Sequence, residues 1–286
     1  MSECEYDLIV AGGGFAGAAA SIAAARQGLR VLLIEKGNCL GGAACNGLIN
    51  PFMPFWTSIP GKEERITLCN GIFSEILEGL AEMGALDQKS FVFDEEALKL
   101  LLNRMALQAG VQLLFHATVC VADVKQGHLA AVTCATVNGP IVFEGNLFVD
   151  ATGDAELCAL AGCAFQLGRE KDQLCQPMTL CFRIGNVDKE KYRKSRAQIN
   201  PLYKKMKEEG KIHCVREDML IFENLNEGVL HLNSTRIVCK NPTDAFDVTQ
   251  AEIEAREQVY ELYQFLKEHI DGFQNSRVLS TGMHIG

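Results

Sequence analysis

The stretch DLIVAGGGFAGAAASIAAARQGLRVLLIEKGNCLGG, residues 7–42, decides the fold. Residues 8–11 are a short apolar run of the kind a buried parallel strand needs, and Gly12, Gly14 and Gly17 follow at GxGxxG spacing. Gly12 permits the tight turn out of the strand, Gly14 lets a pyrophosphate approach the backbone, and Gly17 lets the next helix lie close on the sheet. That helix carries Ala18, Ala19, Ala20, Ala23, Ala24 and Ala25, small enough for close packing. Its free N–H groups and positive dipole end favour phosphate. The chain turns at Gly28, residues 31–34 make a second strand, and Glu35 ends it. A carboxylate there, about 20 residues past the glycines, accepts hydrogen bonds from both ribose hydroxyls and disfavours a phosphate on that ribose. Strand, glycines, helix, strand and acid in register make a nucleotide site.

A rival reading takes the uncharged residues 8–25 as a membrane span or export signal. It fails because the run is mostly Gly and Ala, residues 1–7 are acidic, and a strand ending in an acid follows directly. The whole chain, 286 residues long, has room for a sizeable core and about two domains. Its net charge of −9 argues against a nucleic-acid partner. Twelve cysteines occur without any CxxC, which leaves zinc ribbons and thioredoxin-type dithiols without support and suits reduced thiols in a cytoplasmic protein. No histidine spacing suggests a metal site.

The run Gly12, Gly14, Gly17, Glu35, Gly41-Gly42 resembles the N-terminus of the FAD-dependent oxidoreductases related to fumarate reductase flavoproteins and the disulfide reductases. The resemblance implies FAD rather than NAD, with Gly41 and Gly42 beside the pyrophosphate and ribityl chain. It brings Phe15 and Ala16, within the glycine turn, and Lys36, beside the acid, into the cofactor-binding set. Disulfide reductases place CxxxxC just after the paired glycines; here Cys45 is followed five residues on by Asn50, which argues against that chemistry and favours Cys39 and Cys45, which straddle the glycine pair, as packing thiols, with an oxidisable pair as the alternative. Residues 46–66, with Pro51, Pro54, Pro60 and Trp56, break regular structure. The resemblance runs this segment past the flavin ring, making Asn46, Gly47 and Asn50 contact candidates; a loop packed on the sheet is the competing reading.

Residues 70–83 and 94–109 have helical spacing, the second opened by Asp94, Glu95 and Glu96. Residues 111–121, 129–137 and 141–150 read as strands separated by turn signals. The resemblance makes them a small antiparallel sheet that returns to the nucleotide sheet at residues 147–150 and passes the adenine at Val119. Residues 150–154, DATGD, lead from a strand into a helix beginning near Ala155, with Asp154 as its N-cap. In the resembled families Thr152, Gly153 and Asp154 line the cofactor site.

From Gln166 the character changes. Residues 178–184 and 228–238 read as strands, and 189–209 and 249–269 as long polar helices. The basic residues from Lys189 to Lys211 alternate with Glu190, Glu208 and Glu209 and make a solvated face. His116 and His231 sit in apolar strand runs, where a hydrogen-bonded core histidine is the default. Gln176, Thr179, Arg183, His231, Asn233 and His284 are the polar candidates for substrate contact. The expected architecture is α/β: a Rossmann-like FAD-binding domain over 1–166, carrying the inserted antiparallel sheet, then an α+β substrate domain over 167–286, incomplete by the family's length. The expected chemistry is hydride transfer between a small-molecule substrate and flavin N5, with an electron donor or acceptor unnamed by the sequence and no catalytic residue assigned. No membrane partner is expected. A homo-oligomer would cover apolar surface left bare where the chain stops. An NAD-linked reductase and a non-catalytic nucleotide-binding domain are the alternatives.

Overall fold

The computed structural model describes residues 5–59, 61 and 65–286; Pro60 and the first four residues of the acidic N-terminus lie outside them. The chain divides into two compact units, one formed by 1–45, 53–86 and 94–166, the other by 46–52, 87–93 and 167–286.

The first unit is built on β1 (Tyr6–Ala11), α1 (Phe15–Arg26) and β2 (Val31–Ile34), as the apolar runs and glycines predict. β1 lies between β2 and β8 (Gly139–Asp150), parallel to both, with Leu8 opposite Val31 on one side and Leu147 on the other. Such a strand is buried on both faces, which is why residues 8–11 show no polar alternation. The predicted 111–121 strand is two strands. β5 (Gln112–Leu114) pairs with β2 in parallel, and β6 (Thr118–Lys125) pairs antiparallel with β7 (His128–Thr136). His116 breaks the run in a left-handed conformation, φ 54°, exposed rather than in the core. The backbone N–H groups of His116 and Ala117 donate to the Gly37 and Glu35 carbonyls across the turn. β7 pairs with β8, so the six strands run β5-β2-β1-β8-β7-β6 in a single sheet. α2 (Ile72–Glu82) and α3 (Glu95–Ala109) pack with α1. Asp94 caps α3, its Oδ1 accepting from the Glu96 and Ala97 N–H groups at 2.8 and 3.1 Å. The expected break at residues 46–66 contains a short hairpin, β3 (Trp56–Ser58) with β4 (Arg65–Thr67).

The second unit holds the antiparallel sheet β10-β11-β9-β12, made of β9 (Phe182–Gly185), β10 (Ile221–Glu223), β11 (Leu230–Leu232) and β12 (Arg277–Thr281). Phe182, Ile184, Leu230 and Leu232 share a buried core with Tyr192 and Tyr203 of α5 (Lys189–Glu208) and Val259 and Leu266 of α6 (Ala245–His269). Two segments from earlier in the chain join this unit. Asn50 is buried, its Nδ2 donating to the Phe93 carbonyl at 2.8 Å, and the Asn46 carbonyl accepts from the Met283 N–H at 2.7 Å. Among the described residues, no helix is long and apolar enough to cross a membrane.

Candidate cofactor site

The glycine turn after β1 is fixed by three kinds of contact. The Gly12 N–H donates to the Ile34 carbonyl at 2.8 Å, and Gly12 has φ +97°, where a side chain is strained and its Cβ would lie 2.5 Å from the Ala151 oxygen. A Cβ on Gly17 would stand 1.8 Å from the Gly12 oxygen, so the first turn of α1 rests on bare backbone. Gly13, which the motif leaves unspecified, is equally constrained: its N–H donates to Glu35 Oε2 at 2.6 Å, and a Cβ would meet Leu40 at 2.7 Å.

Gly14 differs from these. It is the N-cap of α1 without any side-chain cap, so the first N–H groups of Phe15, Ala16 and Gly17 are not taken by a capping side chain. The nearest atom to its notional Cβ is Gly42 Cα at 4.0 Å. Gly42 in turn could not carry a Cβ without coming within 2.9 Å of Gly14 Cα, and the Gly41 N–H donates to the Gly13 carbonyl at 2.9 Å. Both glycine groups therefore meet backbone to backbone at the positive end of α1. Gly41 is tied to Cys45, whose Sγ would lie 2.3 Å from an added Cβ. Burial pushes the Cys45 thiol up to about 12 and raises Cys39 as well. These thiols are neutral packing groups at neutral pH.

Glu35 is 7% exposed and its carboxylate clamps the turn, Oε2 on the Gly13 N–H and Oε1 on the Gly37 N–H, each at 2.6 Å. This work inside the fold is additional to any contact with a nucleotide. Lys36 pairs with Glu156 at 2.7 Å. Burial lowers the Lys36 pKa, but the Glu156 hydrogen bond and charge outweigh it and leave the ammonium above its ordinary value. Val119 of β6, Glu156, Ala159 and Leu160 line an open hollow of about 430 Å³. Ala159 and Leu160 belong to α4 (Glu156–Leu160).

The DATGD segment folds differently from the expected cap. Asp154 is exposed and is not the N-cap; Ala155 holds that position in a left-handed conformation, φ 54°. Thr152 Oγ1 accepts from the Glu156 N–H at 2.8 Å in its place. Asp150, passed over among the sequence candidates, organises the turn. Its Oδ1 accepts from the Thr152 N–H and hydroxyl at 2.9 and 2.6 Å, and Oδ2 accepts from the Cys158 N–H at 2.7 Å. Burial raises the Asp150 pKa, the Thr152 and Cys158 hydrogen bonds more than offset that, and the carboxyl stays below its ordinary range. Gly153 is exposed with no atom within 4 Å of a notional Cβ. The signal available in the sequence was the acid ending a buried strand just before Ala-Thr-Gly.

The family model described as FAD dependent oxidoreductase matches residues 7–286. The chain belongs to this family. It is 33% identical over 141 residues to a digeranylgeranylglycerophospholipid reductase of Methanocella arvoryzae, covering 45% of this chain and 34% of that protein. The FixC protein of Salmonella typhi is 34% identical over 86 residues, 30% of this chain and 20% of that one. Among solved structures, a geranylgeranyl bacteriochlorophyll reductase-like protein from Thermoplasma acidophilum superposes with a TM-score of 0.54 at 16% identity, over 98% of this chain and 65% of that one. A glycerol-3-phosphate dehydrogenase from Bacillus halodurans complexed with FAD gives 0.51 at 16% identity, over 97% and 57%. These likenesses establish a shared flavoprotein fold. The matched regions span about a third or less of the curated relatives and about two thirds or less of these structural ones.

FAD is the cofactor of the family, and the first unit fits its adenosine diphosphate half. The uncapped start of α1, the open approach at Gly14 and the acid at the end of β2 are the features that half requires.

The substrate candidates are all in the second unit. Gln176 and His284 are exposed, and the Thr179 hydroxyl donates to the Thr235 carbonyl at 3.3 Å. Arg183 and His231 are cross-strand neighbours of β9 and β11, with Asn233 two residues beyond His231. His231 is buried, as expected for a core histidine, but neither ring nitrogen has a hydrogen-bond partner.

Proposed function

We propose that this chain binds FAD through the first unit and acts as an oxidoreductase on a small-molecule substrate, with a second electron donor or acceptor completing the cycle. The observation that carries the reading is the start of α1 at Gly14, which has no side-chain cap and where a notional Cβ meets nothing nearer than Gly42 Cα at 4.0 Å, so that backbone N–H groups face an approaching phosphate. In this reading Gly12, Gly14, Phe15, Ala16 and Gly17 hold the diphosphate through backbone N–H groups and close approach. Glu35 takes the adenosine ribose hydroxyls with lone pairs left over from Gly13 and Gly37. Lys36 and Val119 flank the adenosine, while Gly41 and Gly42 border the diphosphate and ribityl side. Thr152, Gly153 and Asp154 form the opposite edge of the site. When bound, the flavin supplies two-electron chemistry at N5; the protein binds, orients and excludes water. The buried Cys45, Cys134, Cys181 and Cys214 are free thiols, which supports a reducing, cytoplasmic setting.

The test is a visible spectrum of the protein purified without added cofactor, followed by FAD titration of any colourless preparation. Flavin bands released on denaturation as FAD support the proposal, and dithionite bleaching followed by recovery with an acceptor extends it to turnover. Uptake of ADP without FAD would restrict the chain to nucleotide binding and overturn the oxidoreductase reading.

A further inference from the structure

The second-unit sheet carries a polar row whose central imidazole, that of His231, is buried without a hydrogen-bond partner. Strand register sets Phe222 opposite His231, His231 opposite Arg183, and Arg183 opposite Ser280. Their neighbours along the strands, Ile221, Leu230, Phe182 and Ile184, belong to the core shared with α5 and α6. The polar row therefore lies on the other face, since successive strand residues alternate.

At the centre of the row His231 is 2% exposed, and neither Nδ1 nor Nε2 has a hydrogen-bond partner. Asn233 Oδ1 is likewise buried and unpartnered. Buried polar groups are normally hydrogen-bonded, so an imidazole with both nitrogens unused points to a missing component. Burial, and after it the charge of Arg183, holds the imidazole pKa down at about 4. At neutral pH the ring therefore offers one N–H donor and one acceptor nitrogen. The half-buried guanidinium of Arg183 adds positive charge in a planar fork suited to a carboxylate. The acceptor nitrogen and Asn233 Oδ1 suit a hydroxyl. Phe222, its ring centroid 6.1 Å from that of His231, supports the imidazole from the next strand.

We infer that this row binds a small carboxylate bearing a hydroxyl, the carboxylate on Arg183 and the imidazole N–H, the hydroxyl on the remaining acceptors. Calling that ligand the substrate rests on the proposed function; the binding itself does not. The experiment is a titration of protein labelled with ¹³C at histidine, observed by NMR, with His231→Gln identifying the His231 signal. Lactate should move that signal saturably, propionate more weakly for want of the hydroxyl, and lactamide not at all for want of the charge. In Arg183→Gln the lactate affinity should fall about tenfold or more, as loss of a charge-assisted hydrogen bond implies, and Arg183→Lys should lose less. The other histidine signals should keep their positions in each variant, reporting an intact fold. A His231 signal indifferent to lactate, or one that responds equally in Arg183→Gln, overturns the inference and leaves bound water as the partner of the ring. A lactate response in protein that takes up no FAD would sink the oxidoreductase reading alone.

Discussion

Gly14→Ala and Gly17→Ala add the same methyl group three residues apart, and the structure separates their effects. At Gly17 the new Cβ lies 1.8 Å from the Gly12 oxygen and 3.1 Å from Ala151 Cβ, so two backbone segments must part before it fits. Overpacking of this kind costs about 1–3 kcal/mol when side chains can yield, and backbone yields less, so we expect roughly 3 kcal/mol or more. The helix propensity of Ala returns about 1 kcal/mol at most. For a unit of this size a net loss of 2–3 kcal/mol lowers the melting temperature by about 4–12 °C. At Gly14 the backbone has φ −64°, which alanine adopts freely, and only Gly42 Cα comes as near as 4.0 Å. A weaker N-cap and a less flexible unfolded chain roughly cancel there, to within about 1 kcal/mol. The Gly14 methyl nevertheless stands where phosphate would approach α1. Melting of the apoprotein followed by calorimetric titration with ADP and FAD reads both effects. Gly17→Ala should melt early, whereas Gly14→Ala should melt like the parent and bind both ligands about tenfold or more weakly, a loss of roughly 1.4 kcal/mol. An unshifted Gly17→Ala melt would refute the close approach of α1 to the Gly12 carbonyl. Parental ADP binding by Gly14→Ala would remove the phosphate from this opening.

Other variants test other joints. Glu35→Gln keeps the shape but turns an amide NH₂ towards one of two backbone N–H groups, so the apoprotein should lose about 1–3 kcal/mol in denaturant unfolding and bind FAD more weakly besides. Unchanged unfolding would show that the clamp on Gly13 and Gly37 carries no weight. Asp94→Ala removes the acceptor for two N–H groups of α3 and should cost about 1 kcal/mol without altering FAD affinity. His231, with its ordinary pKa of 6.5 brought down to about 4 by burial and Arg183, is neutral when folded across a range where the unfolded chain takes up a proton. Stability should therefore fall as pH drops from 6.5 to 4, by up to about 3 kcal/mol from this group. His231→Gln should flatten that part of the melting profile; an equal slope in both proteins would mean that the ring takes up its proton while folded.

What the sequence made legible was short-range. β1, the glycines, α1, β2 and Glu35 occupy one stretch in which each signal confirms the next, and Asp94 sits immediately before the helix it caps. What it hid depends on partners far along the chain. The 111–121 run looks like one strand because its apolar residues are continuous, yet it divides at His116 because the Glu35 and Gly37 carbonyls accept its backbone N–H groups. Asp154 looked like a cap by position, but the capping oxygen is that of Thr152, whose hydroxyl is oriented by Asp150. In the second unit, β11 falls inside the 228–238 run that reads as a strand, whereas β10 and β12, three and five residues long, are recognisable only through their register with β11 and β9.

The same distinction separates scaffold from ligand chemistry within the glycine motif. Gly12, Gly13 and Gly17 have backbone or side-chain atoms within 3 Å of their notional Cβ positions, so the fold alone demands them. Gly14 meets no such demand, its notional Cβ having nothing nearer than Gly42 Cα at 4.0 Å, and on the proposed reading a diphosphate approaching α1 is what requires it bare. On the proposed reading Glu35 belongs to both classes. An ionised carboxylate offers about four lone-pair sites, of which the Gly13 and Gly37 N–H groups use two. The acid thus holds the turn and retains acceptors, which the proposed reading gives to the ribose. A ligand bound there reinforces the clamp that positions it, so ADP should protect the parent against unfolding by more than it protects Glu35→Gln at equal concentration. Equal protection would show that Glu35 serves the turn and leaves the ribose untouched.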